Sequence, residues 1–189
     1  MKKLFAIFGF AFALVAGVAI AQQVNIYTEQ GGRKMVVASG GELEIQSGGL
    51  LDVQSGAGLQ SPVETVAAAN TITAAESGAT FILSSATEFA STLPAPAAGL
   101  NYMFIIGAAP SGAAYTVVSN GGADVIILLV NELETDTTND GPYDDNADTV
   151  TFADGVSVVG DWLQCVSDGT SWFCRGSTNA DGGITSSTT

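Results

Sequence analysis

The sequence contains no histidine. This excludes Ser-His-Asp and Cys-His nucleophilic catalysis and zinc sites of the imidazole-containing kinds. Basic residues are also scarce, with five Lys and Arg against 19 Asp and Glu, a formal net charge of −14. A surface of that sign repels phosphates and anionic lipid headgroups, so neither nucleic acid nor a membrane surface is an expected partner. A phosphate-cradling Gly-x4-Gly-Lys-Ser/Thr loop is absent. Charged residues of all kinds make up only 13% of the chain while apolar ones make up 47%. That balance describes a chain able to bury a core, not a disordered one. Cysteine is limited to Cys165 and Cys174, far from the N-terminus, so no lipid-modified N-terminal cysteine is expected.

The first 21 residues have the layout of a secretory signal. Lys2 and Lys3 form a short positive start, residues 4–20 are apolar or small, and Ala19-Ile20-Ala21 is the small-x-small pattern that signal peptidase accepts. The competing reading, a membrane anchor, has an apolar run at the short end of what spans a bilayer and no basic flank beyond it. Cleavage is therefore expected between Ala21 and Gln22, leaving no membrane association. Removing 21 of the 189 residues leaves 168, and only Arg33, Lys34 and Arg175 remain to offset the 19 acids. Lys34, the one lysine left, lies in a turn-like region, so a Ser-Lys dyad would need a coincidence.

Strand signals dominate the remainder of the chain. Short β-branched and aromatic runs occur at 80–84, 101–106, 115–119, 125–130, 149–152, 156–159, 162–166 and 172–174. Gly, Asn, Asp and Pro turns separate them, as at Asn120-Gly121-Gly122 and Asp154-Gly155. Strands at this spacing predict an all-β sandwich, jelly-roll-like, rather than alternating strands and helices. A helix is credible only at 63–69, where the pattern is short.

The segment before the sandwich repeats itself. Residues 39–46 (SGGELEIQ) are followed by 47–54 (SGGLLDVQ) and by a decayed third copy at 55–60. Within each full octad, Leu43 and Ile45, then Leu51 and Val53, take alternate positions. Each copy therefore reads as a short strand with one apolar face, closed by a Ser-Gly-Gly turn. Such a unit cannot bury its face alone. Two arrangements meet that need: octads of several chains wound about a common axis, most simply in a homotrimer, or a hairpin pair covering the edge of the main domain. The expected organisation is a signal peptide at 1–21, a repetitive β arm at 22–62, a linker at 63–70, the β-sandwich at 71–176 and a flexible polar tail at 177–189.

Three features carry candidate chemistry. Residues 132–148 hold seven acids, and among them Asp136, Asn139, Asp140, Asp144, Asp145 and Asp148 offer the hard oxygen ligands that suit calcium. The EF-hand pattern fails: counted from Asp136, position three is Thr138 and position twelve is Ala147. The alternative is a solvated acidic loop, and no cofactor is required on either reading. Paired carboxylates acting on a glycoside are the one enzymatic mechanism the composition leaves open. Acids are so plentiful that the requirement is met by chance, so a non-catalytic protein is expected. An exported adhesin or carbohydrate-binding protein with a calcium-stabilised loop is the main alternative function. Finally, Cys165 and Cys174 flank a turn at 167–171. A turn at Gly169-Thr170 puts them directly opposite each other, whereas a type I′ turn at Asp168-Gly169 offsets them. Export favours a disulfide over two buried thiols.

Residues 71–78 (TITAAESG) leading into 80–83 (TFIL), then 93–100 (LPAPAAGL), 121–126 (GGADVI) and 166–172 (VSDGTSW), resemble a β domain common among structural proteins of tailed bacteriophages, at the ends of decoration or fibre-like proteins. The octads resemble repeats of phage fibres and of bacterial surface adhesins. The resemblance implies a non-enzymatic virion component that assembles as a homo-oligomer with capsid or tail proteins as neighbours. A cleavable export signal departs from that family and leaves two readings, a virion part or a secreted surface protein sharing the domain.

Overall fold

The computed structural model of the chain describes residues 26–28, 35–37, 41, 43–55, 57–85, 87–133 and 142–188. The strands among them are β1 (Ile26–Thr28), β2 (Met35–Val37), β3 (Val63–Val66), β4 (Asn70–Thr71), β5 (Thr80–Leu83), β6 (Ala90–Thr92), β7 (Asn101–Ile106), β8 (Tyr115–Val118), β9 (Ile126–Glu132), β10 (Tyr143–Ala147), β11 (Thr149–Phe152), β12 (Trp162–Ser167), β13 (Trp172–Thr178) and β14 (Ile184–Ser187). The chain divides into two compact units, Met1–Ala57 and Gly58–Thr189. In the first, β1 and β2 pair antiparallel. The second is an all-β sandwich of a seven-stranded sheet, ordered β10-β9-β13-β12-β7-β5-β3, and a five-stranded sheet, ordered β14-β11-β8-β6-β4.

From β3 to β8 the chain alternates between the two sheets, so each circuit adds one strand to each. The strands so stacked are parallel: β3 with β5, β5 with β7, β4 with β6, and β6 with β8. Parallel neighbours need a long crossover, and here the route through the opposite sheet supplies it. A near-repeat of 21 residues underlies two of these circuits. Thr71-Ile72 and Thr92-Leu93 bring Ile72 and Leu93 into the core, and Gly78 and Gly99 turn the chain toward β5 and β7 with φ of 90° and 87°. Beyond β8 the chain makes mostly antiparallel pairs, apart from the parallel pairing of β13 with β9.

Period-two alternation sets which side chains face inward. On β7, Tyr102, Phe104 and Ile106 are buried, and the residues between them face outward. On β9, Ile126, Leu128 and Val130 do the same, and β13 adds Trp172 and Cys174. The five-stranded sheet answers with Tyr115, Val117, Val150, Phe152 and Ile184. Phe81 and Phe104 stack with ring centroids 5.4 Å apart. The polar ends of the buried tyrosines are satisfied: the Tyr102 hydroxyl donates to the Thr73 carbonyl at 2.9 Å, and the Tyr115 hydroxyl accepts from the Ser85 amide at 2.9 Å. Gly176 occupies an inward position of β13 where a Cβ would stand 2.8 Å from the Trp162 carbonyl oxygen, so no larger residue fits without a backbone shift.

The sandwich extends past both expected limits. Residues 63–70, expected as a linker with weak helical character, contain β3 and β4. Val63 and Val66 are β-branched, and pairing with β5 supplies the ladder that an isolated pattern cannot reveal. The expected tail at 177–189 contains β14, which pairs antiparallel with β11 and places Ile184 opposite Phe152 in the core. Residues 156–159 form no strand. The buried Asp161 carboxylate instead gathers this loop and the end of β13, accepting from the Val158 amide at 2.9 Å, the Thr178 hydroxyl at 2.9 Å and the Asn179 amide at 3.0 Å.

Cys165 and Cys174 form a disulfide between β12 and β13, directly opposite in register, with the four residues 168–171 as the loop. Gly169 takes φ of 103° there. The cysteines are nine residues apart, so the loop-entropy contribution is modest, about 2–3 kcal/mol. Reduction is expected to lower the melting temperature and to speed amide exchange first at Trp172 and Phe173. Unchanged exchange at those amides after reduction would contradict this.

Candidate assembly surfaces and the acidic loop

The octads keep their period in three dimensions. The Gly49 amide donates to the Gln46 carbonyl at 2.8 Å, and eight residues later the Ala57 amide donates to the Gln54 carbonyl at 3.0 Å. Gly48 adopts φ of 84° in the first of these turns, a conformation glycine takes without steric cost. The expected short strands between the turns are not formed within one chain: residues 43–46 and 49–54 carry no ladder. A strand is defined by its partner, and the described residues supply none here. Leu43, Ile45, Leu51 and Val53 therefore stand exposed, at 51%, 46%, 53% and 40% of their surface. Leu50 and Leu59 are exposed as well.

Within the acidic loop, Asp136, Asn139 and Asp140 lie outside the described residues, as do Ala21 and Gln22 of the expected cleavage site. Asp144 and Asp145 lie on β10, and Asp148 is buried just before β11. Asp144 already accepts two hydrogen bonds, from the Asn146 amide at 3.1 Å and the Ser186 hydroxyl at 2.8 Å. Among the described residues no three Asp, Glu or Cys side chains converge as a metal site. Glu132 accepts from the Gly182 amide at 2.9 Å, and its second carboxylate oxygen is buried without a described partner.

The two tryptophans, Trp162 and Trp172, face opposite sides of the seven-stranded sheet. Trp172 points into the core and stands 5.6 Å, centroid to centroid, from Tyr102, whereas Trp162 faces outward on β12. The hairpin loop between their strands is held by Asp168, whose carboxylate accepts from the Thr170 and Ser171 amides at 2.8 Å and 2.9 Å. Those bonds, the one from Ser171 foremost, hold its pKa below the ordinary aspartate value.

The outer face of the seven-stranded sheet is not visible in any single strand. Its residues come together only through the register of seven strands. The available signal is the unusual apolar content of alternate positions such as Ile127, Leu129, Val166 and Phe173. Comparison with protein-family models, with curated proteins and with solved structures found no match.

Proposed function

We propose that the chain is a non-catalytic structural module that assembles with copies of itself and is displayed outside the cytoplasm, as a virion-associated protein of the decoration or fibre kind or as a surface protein sharing that domain. The observation that carries this reading is the octad arm, with apolar side chains at alternate positions, turns at an eight-residue spacing and no ladder within one chain. Pairing with the same segment of other chains supplies both the missing strand partners and the missing cover. A homotrimer is the simplest closed arrangement in which every copy is equivalent. The disulfide fits an oxidising compartment. No helix among the described residues is long and apolar enough to cross a membrane.

Deleting residues 22–57 is expected to leave the sandwich folded and the protein monomeric by light scattering, with the near-ultraviolet circular dichroism of the intact protein. An oligomer that survives the deletion unchanged would contradict the assembly role of the arm.

A further inference from the structure

The two sheets present different outer faces. Outward positions on the five-stranded sheet are mostly threonine, among them Thr92, Thr116, Thr149 and Thr151. Threonine suits a strand and stays wetted. The outer side of the β12–β13 hairpin is built differently. Three cross-strand pairs face outward there: Val166 with Phe173, Gln164 with Arg175, and Trp162 with Ser177. Successive pairs are two residues apart, so the row is about 13–14 Å long. A depression of about 340 Å³ lies over the first two pairs. A second, of about 260 Å³, lies at the Trp162 end, with Leu133, Val159 and Asn179 among the residues that line it. The inward Cys165–Cys174 bridge joins the strands between the first two pairs and holds the ladder on which they stand. A platform held in this way has less freedom to lose when a ligand binds.

Arg175 is the only basic side chain among the described residues. Neither its guanidinium nor the Gln164 amide makes a side-chain hydrogen bond or ion pair with a described residue. No outward position on β5, β7, β12, β13 or β9 is acidic. Asp145 is exposed on β10, two strands from β13. Two strand spacings are about 9–10 Å, more than the ~8 Å screening length at physiological salt. At the Trp162 end, the buried Asp161 carboxylate is already occupied by the Val158 amide, the Thr178 hydroxyl and the Asn179 amide.

We infer that this row binds an oligosaccharide carrying one acidic sugar. One uncompensated guanidinium matches one carboxylate, which its planar fork can hold by two hydrogen bonds. The net charge of −14 disfavours a ligand with many carboxylates. Phe173 and Val166, 45% and 43% exposed, offer an apolar surface beside Arg175 to the C–H side of a sugar ring. Gln164 can donate and accept, as neighbouring sugar hydroxyls require. The Trp162 end, with Asp161 beneath it, suits a neutral sugar. A peptide is less well served, because β12 and β13 are paired on both sides and offer it no free strand edge. The inference does not rest on self-assembly.

The test is calorimetric titration of the full chain with two probes that each carry one carboxylate. These are sialyllactose, compared with lactose, and xylotriose bearing one glucuronate, compared with xylotriose. At least one acidic probe is expected to bind at least about tenfold more tightly than its neutral counterpart. Arg175→Gln is expected to erase that difference, and Arg175→Lys to keep part of it, since the charge remains without the fork. Phe173→Ala is expected to weaken acidic and neutral sugar alike, about tenfold. Thr116→Ala, on the opposite sheet, is expected to change neither. All four variants should keep the cooperative melting of the wild type. The inference is overturned if neither acidic probe binds at millimolar concentration, or if binding survives Arg175→Gln unchanged. A tetraglutamate peptide that binds as tightly as the sugars would also overturn it, since charge alone would then account for the site. None of these outcomes bears on the mass of the assembled protein, so self-assembly is tested separately.

Discussion

Replacing Leu43, Ile45, Leu51 and Val53 together by serine is expected to abolish the proposed self-assembly and leave monomers. About half of each side chain is exposed in a single chain, so covering it on assembly contributes about 1–2 kcal/mol per residue. Four such residues amount to roughly 4–8 kcal/mol per chain, or about 10³–10⁶-fold in association. The sandwich should not register the change, because none of the four belongs to its core. The expected result is therefore a loss of mass by light scattering with no shift in the melting of the isolated domain. Serine keeps the octads soluble and leaves the Ser-Gly-Gly turns in place, so the substitution separates the apolar face from the turn geometry. Equal loss of assembly and of domain stability would mean that the arm covers its own domain.

Phe104→Ala is expected to cost about 3–5 kcal/mol of unfolding free energy. Phe104 is fully buried on β7, stacks on Phe81, and sits in the layer between the sheets. Alanine leaves a cavity that the flanking strands cannot close, because β5 and β12 hold β7 on both sides through continuous ladders. Against a typical domain stability of about 5–15 kcal/mol, this removes a large fraction of the total, read as a lower urea midpoint. Phe173→Ala, outward on β13, is expected to cost less than about 1 kcal/mol in the monomer. The contrast between the two checks the inward and outward assignment of the seven-stranded sheet.

Several elements of this fold are legible in the chain. Alternation at 101–106 and 162–166, with Gly-rich turns between the runs, is enough to give an all-β sandwich and to place Cys165 within reach of Cys174. The parallel winding is not legible. Its signal, Thr71-Ile72 and Gly78 recurring as Thr92-Leu93 and Gly99, is spread over 21 residues and is not tied to the strand runs themselves. The last strand escapes a sequence reading because residues 177–189 offer one large apolar residue, Ile184, whose role depends on Phe152 across the ladder. Residues 156–159 carry strand propensity but are overruled by Asp161, a buried carboxylate that draws three donors into one loop. Of the candidate surfaces, the octad face is local and can be read directly. The face around Arg175 cannot, because it joins residues from 63 to 175 by register alone.

Sedimentation equilibrium of the full-length protein over a wide concentration range tests self-assembly most directly. The account predicts a single species at an integer multiple of the chain mass, three for the simplest closed arrangement, that dissociates when the arm is altered. The mass of one chain at every concentration would contradict it.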